Sequence, residues 1–304
     1  MAPDDRHRAA LVQLSVPLPI CHLNGQYLPL SEARVSPLDR AFLFGDAVYE
    51  LVPVFGGRPF RLRQHLDRLA RSLEGIRMAP PLSHPEWSAL CRELIERNGG
   101  GDQYLYMQVT RGAEFGRNHA WPDGLKPTIF AYATALEAPS PQMLERGVSA
   151  VTAADTRWAR RDIKSTALLA NILLKKLAVD AGAFETILIE RGELTEGSST
   201  TVHVVVGGLI RTPPNSPRIL PGTTRDVVHE LAMRSGIGSE SVPVSESQLR
   251  AADEIWLAFS TRGVLPVTTL DGRPVGTGRP GPLFARIHAA FLEYTSELAG
   301  TPAL

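Results

Sequence analysis

Apolar residues recur at Leu168, Leu169, Ile172, Leu173 and Leu177, a spacing that predicts a helix with one buried face. Ser165 or Thr166 can cap that helix, because a short hydroxyl side chain accepts a bond from an N–H two or three residues on. Lys164 then stands just before the helix start. The same periodicity predicts a helix over Gln64–Ile76, with Leu66, Leu69, Ala70 and Leu73 on one face. A further helix over Glu86–Asn98 is stopped by Gly99-Gly100-Gly101, and two more are expected over Thr223–Arg234 and Gly281–Leu298. Aromatic and β-branched runs predict strands at Ala47–Val52, Tyr104–Thr110, Pro127–Thr134, Val148–Ala153, Phe184–Glu190, Thr201–Val206 and Ile255–Phe259. Asn24-Gly25 marks a tight turn, Asp39–Gly45 and Arg111–Gly124 read as loops, and Pro213, Pro214 and Pro217 mark another.

Helices and strands mix in both halves without a repeating βαβ rhythm, which suggests α+β or mixed α/β and not a doubly wound sheet. At 304 residues the chain is long for a single core. The aperiodic stretch 135–147, with Pro139 and Pro141, is the expected linker between a small domain at 21–134 and a larger one at 148–304. Residues 1–20 read as a loosely ordered leader with no cationic start and apolar block, hence no secretory signal.

Composition narrows the functional classes. Lys plus Arg, at 32, balance Asp plus Glu, at 32, so nothing pulls the protein toward nucleic acid or an anionic membrane. No apolar run approaches the ~20 residues of a membrane span. Cys21 and Cys91 form no C-x-x-C pair, which argues against a disulfide framework or a cysteine zinc site and fits a reducing cytoplasm. The histidines show no metal-ligand spacing. The string Gly276-Thr277-Gly278-Arg279-Pro280-Gly281 follows no apolar strand and holds a proline, so it reads as a surface loop, not a dinucleotide site.

Three places remain as candidate chemistry. Lys164 has a helix start after it and Arg157, Arg160 and Arg161 before it. Positive surroundings favour the neutral amine, Asp162 opposes them, and a neutral amine is a Schiff-base nucleophile. The plainer reading is a solvated lysine at a helix end. Leu194-Thr195-Glu196-Gly197-Ser198-Ser199-Thr200 puts a carboxylate among N–H and O–H donors, which would keep it ionised; the alternative is a structural turn with a solvated Glu. Leu220-Pro221-Gly222-Thr223-Thr224 sets glycine and two threonines at a helix start, either a phosphate seat or plain capping.

These pieces occur in order with D-R-A-F-L-F-G-D-A-V-Y-E (39–50), H-L-D-R-L (65–69), Y-M-Q-V-T-R-G (106–112), D-I-K-S (162–165), L-T-E-G-S-S-T (194–200) and G-T-T-R-D-V-V (222–228). Together they resemble the fold-type IV pyridoxal-phosphate (PLP) aminotransferases over most of the chain, with the nearest likeness to D-amino acid aminotransferases. The resemblance implies a two-domain fold and a homodimer whose active site is completed by a loop of the partner subunit. It implies that Lys164 forms a Schiff base with PLP and moves a proton, and that Glu196 faces the pyridine nitrogen. Arg68, Thr223, Thr224, Ser260 and Thr261 would bind the phosphate, Arg157 would lie near the phenolic oxygen, and Leu220 would support the ring. Tyr49, Tyr106, Arg117 and His119 would take the substrate carboxylate, a guanidinium and an imidazole fixing its direction. The implied reaction is ping-pong transfer from a D-amino acid such as D-alanine to 2-oxoglutarate or pyruvate. Branched-chain L-aminotransferases, (R)-amine transaminases and aminodeoxychorismate lyases are alternatives of the same fold, and a PLP-binding protein without turnover is the alternative outside enzymology.

Overall fold

A computed structural model describes residues 16–300 and divides them into two units. The first comprises 16–137 with 163–168 and 295–300; the second comprises 138–162 and 169–294. The chain expected as one C-terminal stretch therefore lends the Lys164 segment to the first unit. The expected leader lies outside the described residues up to Ser15, but its last residues, from Pro17, already form a strand.

The first unit is a six-stranded antiparallel sheet. Its strands are β1 (Pro17–Leu23), β2 (Gln26–Pro29), β3 (Ala47–Phe55), β4 (Arg58–Pro59), β5 (Gln103–Thr110) and β6 (Thr128–Ala135), in the order β2-β1-β6-β5-β3-β4. Asn24 and Gly25 turn β1 into β2 at φ of 50° and 89°, the left-handed pair that a tight hairpin needs. The Asp39–Gly45 stretch, expected as a loop, contains a short helix, α1 (Arg40–Phe44), capped by Asp39 and ended by Gly45 at φ 69°. Helices α2 (Leu62–Gly75) and α3 (His84–Arg97) cover the sheet. Ser83 and Glu86 form a capping box at the start of α3. Leu66, Leu69 and Leu73 of α2 and Leu90, Leu94 and Ile95 of α3 pack on Val48, Val52, Leu105 and Met107 of the sheet.

The second unit begins with α4 (Pro141–Arg146) and holds a nine-stranded mixed sheet. It comprises β7 (Val148–Ala154), β8 (Glu185–Glu190), β9 (Glu193–Gly197), β10 (Thr201–Val206), β11 (Leu209–Thr212), β12 (Ser239–Ser241), β13 (Glu254–Phe259), β14 (Gly263–Leu270) and β15 (Arg273–Pro274). The order is β12-β11-β10-β13-β14-β7-β8-β9, with β15 on β14; the β11–β12, β14–β7 and β7–β8 pairs are parallel. Helices α5 (Leu169–Asp180), α6 (Thr223–Arg234), α7 (Glu246–Arg250) and α8 (Pro282–Gly300) follow in chain order, residues 295–300 of α8 being counted in the first unit. The Gly276–Gly281 string is a loop whose glycine at 276 lies at φ 51°. The helix it leads into is capped by Glu254, which accepts from the N–H groups of Leu283 and Phe284 at 3.0 and 2.9 Å. No helix among the described residues is long and apolar enough to cross a membrane.

The periodic stripe misled in one respect. Helix α5 forms, but its buried residues are Leu174 and Ala178. The predicted face, Leu169, Ile172, Leu173 and Leu177, is turned outward at 70, 62, 60 and 49% exposure. Nor do Ser165 and Thr166 cap it: Ser165 pairs with Val48 on β3, and the Thr166 hydroxyl lies 3.2 Å from the Gly45 carbonyl.

Two histidines pack together in the second unit. His203 on β10 is fully buried and lies 5.8 Å from His229 of α6, ring to ring. Neither His203 ring nitrogen has a hydrogen-bond partner among the described residues. Burial, then the neighbouring His229 and Arg225, hold its pKa well below the usual value; burial and Arg225 likewise lower that of His229. Groups kept neutral in the fold take up protons first in the unfolded chain, whose histidines titrate near ~6.5. Stability is therefore fully present above that value and lost as pH falls below it, by up to ~1.4 kcal/mol per pH unit for each such group. Denaturant unfolding from pH 7.5 to 5 should show this slope, and His203→Leu should flatten it; an equal slope in the variant refutes the assignment.

Candidate active site

In the first unit the structure brings Lys164, Tyr49 and Tyr106 together. Tyr49 and Tyr106 sit opposite one another's neighbours on β3 and β5, and their rings stack at 5.5 Å with planes 23° apart. The Lys164 amine lies 4.2 Å from the centre of the Tyr49 ring. Burial and the neighbouring tyrosines push the Tyr106 hydroxyl up, so it stays protonated and donates to Gln108 at 2.7 Å. Lys164 is not at a helix start; it lies five residues before α5, on a short extended piece. The Tyr49 N–H donates to the Lys164 carbonyl at 2.9 Å, and the Lys164 N–H donates to the Ser72 hydroxyl at 3.1 Å. Ile163 anchors the piece in the core. The three arginines expected to act on the amine are engaged by carboxylates: Arg157 by Asp155 and Glu196, Arg160 by Asp162, and Arg161 by Asp155 and Glu190.

Alternation along β3 puts Tyr49 and Glu50 on opposite faces. Glu50 is fully buried and accepts from Arg68 Nε at 2.7 Å and Nη2 at 2.8 Å, with His65 Nδ1 at 2.8 Å. Burial alone would raise its carboxyl, but the charge and bonds of Arg68 and the bond to His65 outweigh that and hold it far below the usual carboxylate range. Arg68, expected on a phosphate, thus has two of its donors on Glu50. Sequence reasoning passed over Glu50 and His65, although the signal was there: a carboxylate inside an apolar strand needs a partner. His65 and Arg68, three apart on a helix, share a face. Arg117 and His119 lie exposed on the Arg111–Gly124 loop, and both rest on Phe44, the guanidinium 5.0 Å from the ring centre and the imidazole edge-on at 5.5 Å.

In the second unit Glu196 and Arg157 meet. Glu196, on β9 and 6% exposed, accepts from Arg157 Nη1 at 2.5 Å and from the Leu220 N–H at 3.1 Å. Burial raises its pKa, while Arg157 and the Leu220 amide pull it back. Arg157 also donates to Asp155 at 2.9 and 2.7 Å, and Asp155 accepts from Thr195 at 2.7 Å. The hydroxyls expected around Glu196 serve another carboxylate. Ser198, Ser199 and Thr200 converge on the fully buried Glu185, at 2.5, 3.0 and 3.1 Å. Gly197 permits this tight turn, since a Cβ there would meet Thr200 Oγ1 at 2.1 Å. Thr223 and Thr224 open α6 behind Gly222, which offers no side-chain cap. The first-turn N–H groups of such a helix suit a phosphate. Ser260 and Thr261 form the turn between β13 and β14.

The chain belongs to the class IV aminotransferases: the family described as amino-transferase class IV matches residues 47–270. It is 40% identical to the D-alanine aminotransferase of Bacillus licheniformis over 88% of this chain and 94% of that one. It is 38% identical to the D-alanine aminotransferase of Staphylococcus aureus (strain MSSA476), over 90% and 96% respectively. Among solved structures it is similar to the T.th. branched-chain amino acid aminotransferase with pyridoxamine 5'-phosphate, at TM-score 0.85 and 28% identity, covering 93% of this chain and 95% of that one. The fold is that of the fold-type IV aminotransferases.

The Glu50–Arg68 pair yields a stability prediction. Glu50→Ala leaves a buried guanidinium uncompensated and should cost about 3–5 kcal/mol in denaturant unfolding. Adding Arg68→Met to Glu50→Leu, which removes both charges, should recover most of that loss. A single variant as stable as the wild type contradicts the pairing.

Proposed function

We propose that the protein transfers the amino group of D-amino acids, D-alanine among them, to a 2-oxo acid such as 2-oxoglutarate or pyruvate, using PLP in a ping-pong cycle. The observation that carries the reading is the pairing of Lys164 with Tyr49 and Tyr106 in a chain 40% identical to a D-alanine aminotransferase. The groups within each unit suit PLP: in the first, an amine beside an aromatic face; in the second, a buried carboxylate clamped by an arginine and a helix start behind Gly222.

Bound PLP supplies an aldehyde that captures amines and a ring that accepts electrons. Lys164 would hold the aldehyde carbon and would accept the proton from the donor's Cα. Glu196, held in place by Arg157 and the Leu220 amide, would face the ring nitrogen and keep it protonated. Thr223 and Thr224, with Ser260 and Thr261, bind the phosphate, and Arg68 contributes from α2. Leu220 would support the ring, and Arg157 would lie near its phenolic oxygen. Tyr49, Tyr106, Arg117 and His119 bind the donor's α-carboxylate. Holding that carboxylate on one side leaves one enantiomer with its Cα–H toward Lys164, which is the basis of D selectivity.

The protein acts as a homodimer, and the Arg117–His119 loop serves the partner's site. The outward stripe of α5 supports self-association: four aliphatic side chains between 49 and 70% exposed are costly in water. The free, buried Cys21 and Cys91 support a cytoplasmic location.

Purified protein should be yellow and bleach with D-alanine far faster than with L-alanine or L-leucine, and 2-oxoglutarate should restore the colour. Lys164→Ala should neither bleach nor turn over. Faster turnover of L-leucine would replace this reading with the branched-chain one. Leu173→Glu should shift the mass measured by light scattering toward the monomer; an unaltered dimer removes α5 from the interface.

A further inference from the structure

The loop that carries Arg117 and His119 has no regular structure of its own and turns through Gly112, Gly116 and Gly124 at φ of 100°, 108° and 78°. Such a segment does not by itself hold two side chains in a fixed relation. What holds it is a charged group beneath it. Arg40 of α1 is 3% exposed, and its guanidinium is bonded on every edge. Nε donates to Asp46 at 2.9 Å, Nη1 to the Asn118 carbonyl at 2.7 Å and to Glu114, and Nη2 to the His119 carbonyl at 3.1 Å. Those two carbonyls belong to the peptide planes on either side of His119. Fixing both planes fixes the backbone from which the imidazole leaves, and Arg117, two residues before, rests with it on Phe44.

The anchor is itself rigid. Asp46 accepts two further bonds from Arg111, at 2.7 and 3.0 Å, and Arg111 also donates to the Ile76 carbonyl at 2.7 Å and stacks under Trp121 at 4.0 Å. Asp39, next to Arg40, accepts from Thr110 at 2.9 Å and Thr128 at 2.7 Å, the paired residues at the two stems of the loop. Phe44, one turn along α1, lies under Arg40 at 4.7 Å and is the ring on which Arg117 and His119 rest. Arg40 and Arg111 balance Asp46 and Glu114, so the cluster is neutral. Arg40, Asp46 and Arg111 line a cavity of about 540 Å³ that also reaches His119 and Trp121.

We propose that Arg40 is the positioning residue of the α-carboxylate clamp. Its buried, Asp46-anchored guanidinium holds the Asn118 and His119 carbonyls so that Arg117 and His119 present side by side on Phe44, and it thereby sets affinity for substrates that carry an α-carboxylate. The inference rests on the function proposed above. Lysine cannot substitute, because a compact ammonium keeps the charge but does not span acceptors on three edges of a plane.

Arg40→Lys and Glu114→Gln, as purified holoenzyme, test this beside the wild type. The expected result is a KM for D-alanine raised about 10- to 100-fold with kcat within about threefold, since misplacing a binding group by about 1 Å costs up to that much. Competitive inhibition by propionate, a carboxylate without an amine, should weaken in step. The spectral titration with ethylamine, an amine without a carboxylate, should not move. Trypsin should cut after Arg117 faster in both variants. An unchanged KM in both, or a KM that rises while propionate inhibition holds, overturns the proposal, as does a parallel loss with ethylamine. A wild type inert toward D-alanine sinks the proposed function instead, and the rate of tryptic cutting still decides whether Arg40 holds the loop. Should Arg40→Lys not fold, Glu114→Gln carries the same readouts.

Discussion

Two backbone hydrogen bonds govern what Lys164 can do. One runs from the Tyr49 amide to the Lys164 carbonyl, the other from the Lys164 amide to the Ser72 hydroxyl. Both attach a six-residue piece, 163–168, to a sheet and a helix laid down about a hundred residues earlier. A side chain on a loop would sample many directions; this one leaves a backbone pinned on both sides, and its amine lies over the Tyr49 ring. The same strand then sorts chemistry by parity. Tyr49 faces the amine, and Glu50, one residue on, faces the core and fixes Arg68 and His65 of α2. Ser72 lies one turn beyond Arg68, so one helix face supplies both the partner of Glu50 and the support of Lys164.

Each unit repeats one device, a buried carboxylate tied to a buried arginine. Glu50 with Arg68 serves the first and Glu196 with Arg157 the second. Such pairs contribute little net stability, because desolvation offsets their attraction. What they supply is direction: a planar guanidinium bonded through two N–H groups has one orientation. Arg40 extends the pattern to a loop, where its acceptors are main-chain carbonyls as well as carboxylates.

Most of the elements were legible from periodicity, since α2, α3 and the strands of both sheets follow the apolar spacing closely. The failures share a cause: periodicity shows that a face is apolar, not what covers it. The stripe on α5 is as regular as that on α2, yet Leu66, Leu69 and Leu73 are buried and Leu169, Ile172, Leu173 and Leu177 are not. Hydroxyl runs mislead in the same way. Ser198, Ser199 and Thr200 adjoin Glu196 in sequence but converge on Glu185, which strand pairing brings close from the neighbouring β8. Lys164 was singled out for a helix dipole that does not reach it, and its placement comes from a bridge to β3 that no local pattern announces. The family motifs, taken in their order along the chain, single out the same residue without that local argument.

The D-R-A-F-L-F-G-D segment shows why such a motif is longer than the groups that touch a substrate. Asp39 grips both stems of a distant loop, Arg40 its crest, Phe44 the two side chains it displays, and Asp46 the arginine that does the gripping. The four sit at a helix cap, its first residue, its last, and the residue before the next strand, and Arg40 and Phe44, four apart, share a face of that five-residue helix. Gly45 at φ 69° closes that helix, and a Cβ there would come within 3.2 Å of Ala167, three residues past Lys164. One glycine therefore lets the loop's anchor and the lysine piece approach each other, and through that contact the Arg117–His119 loop and the Lys164 amine are built on a common footing.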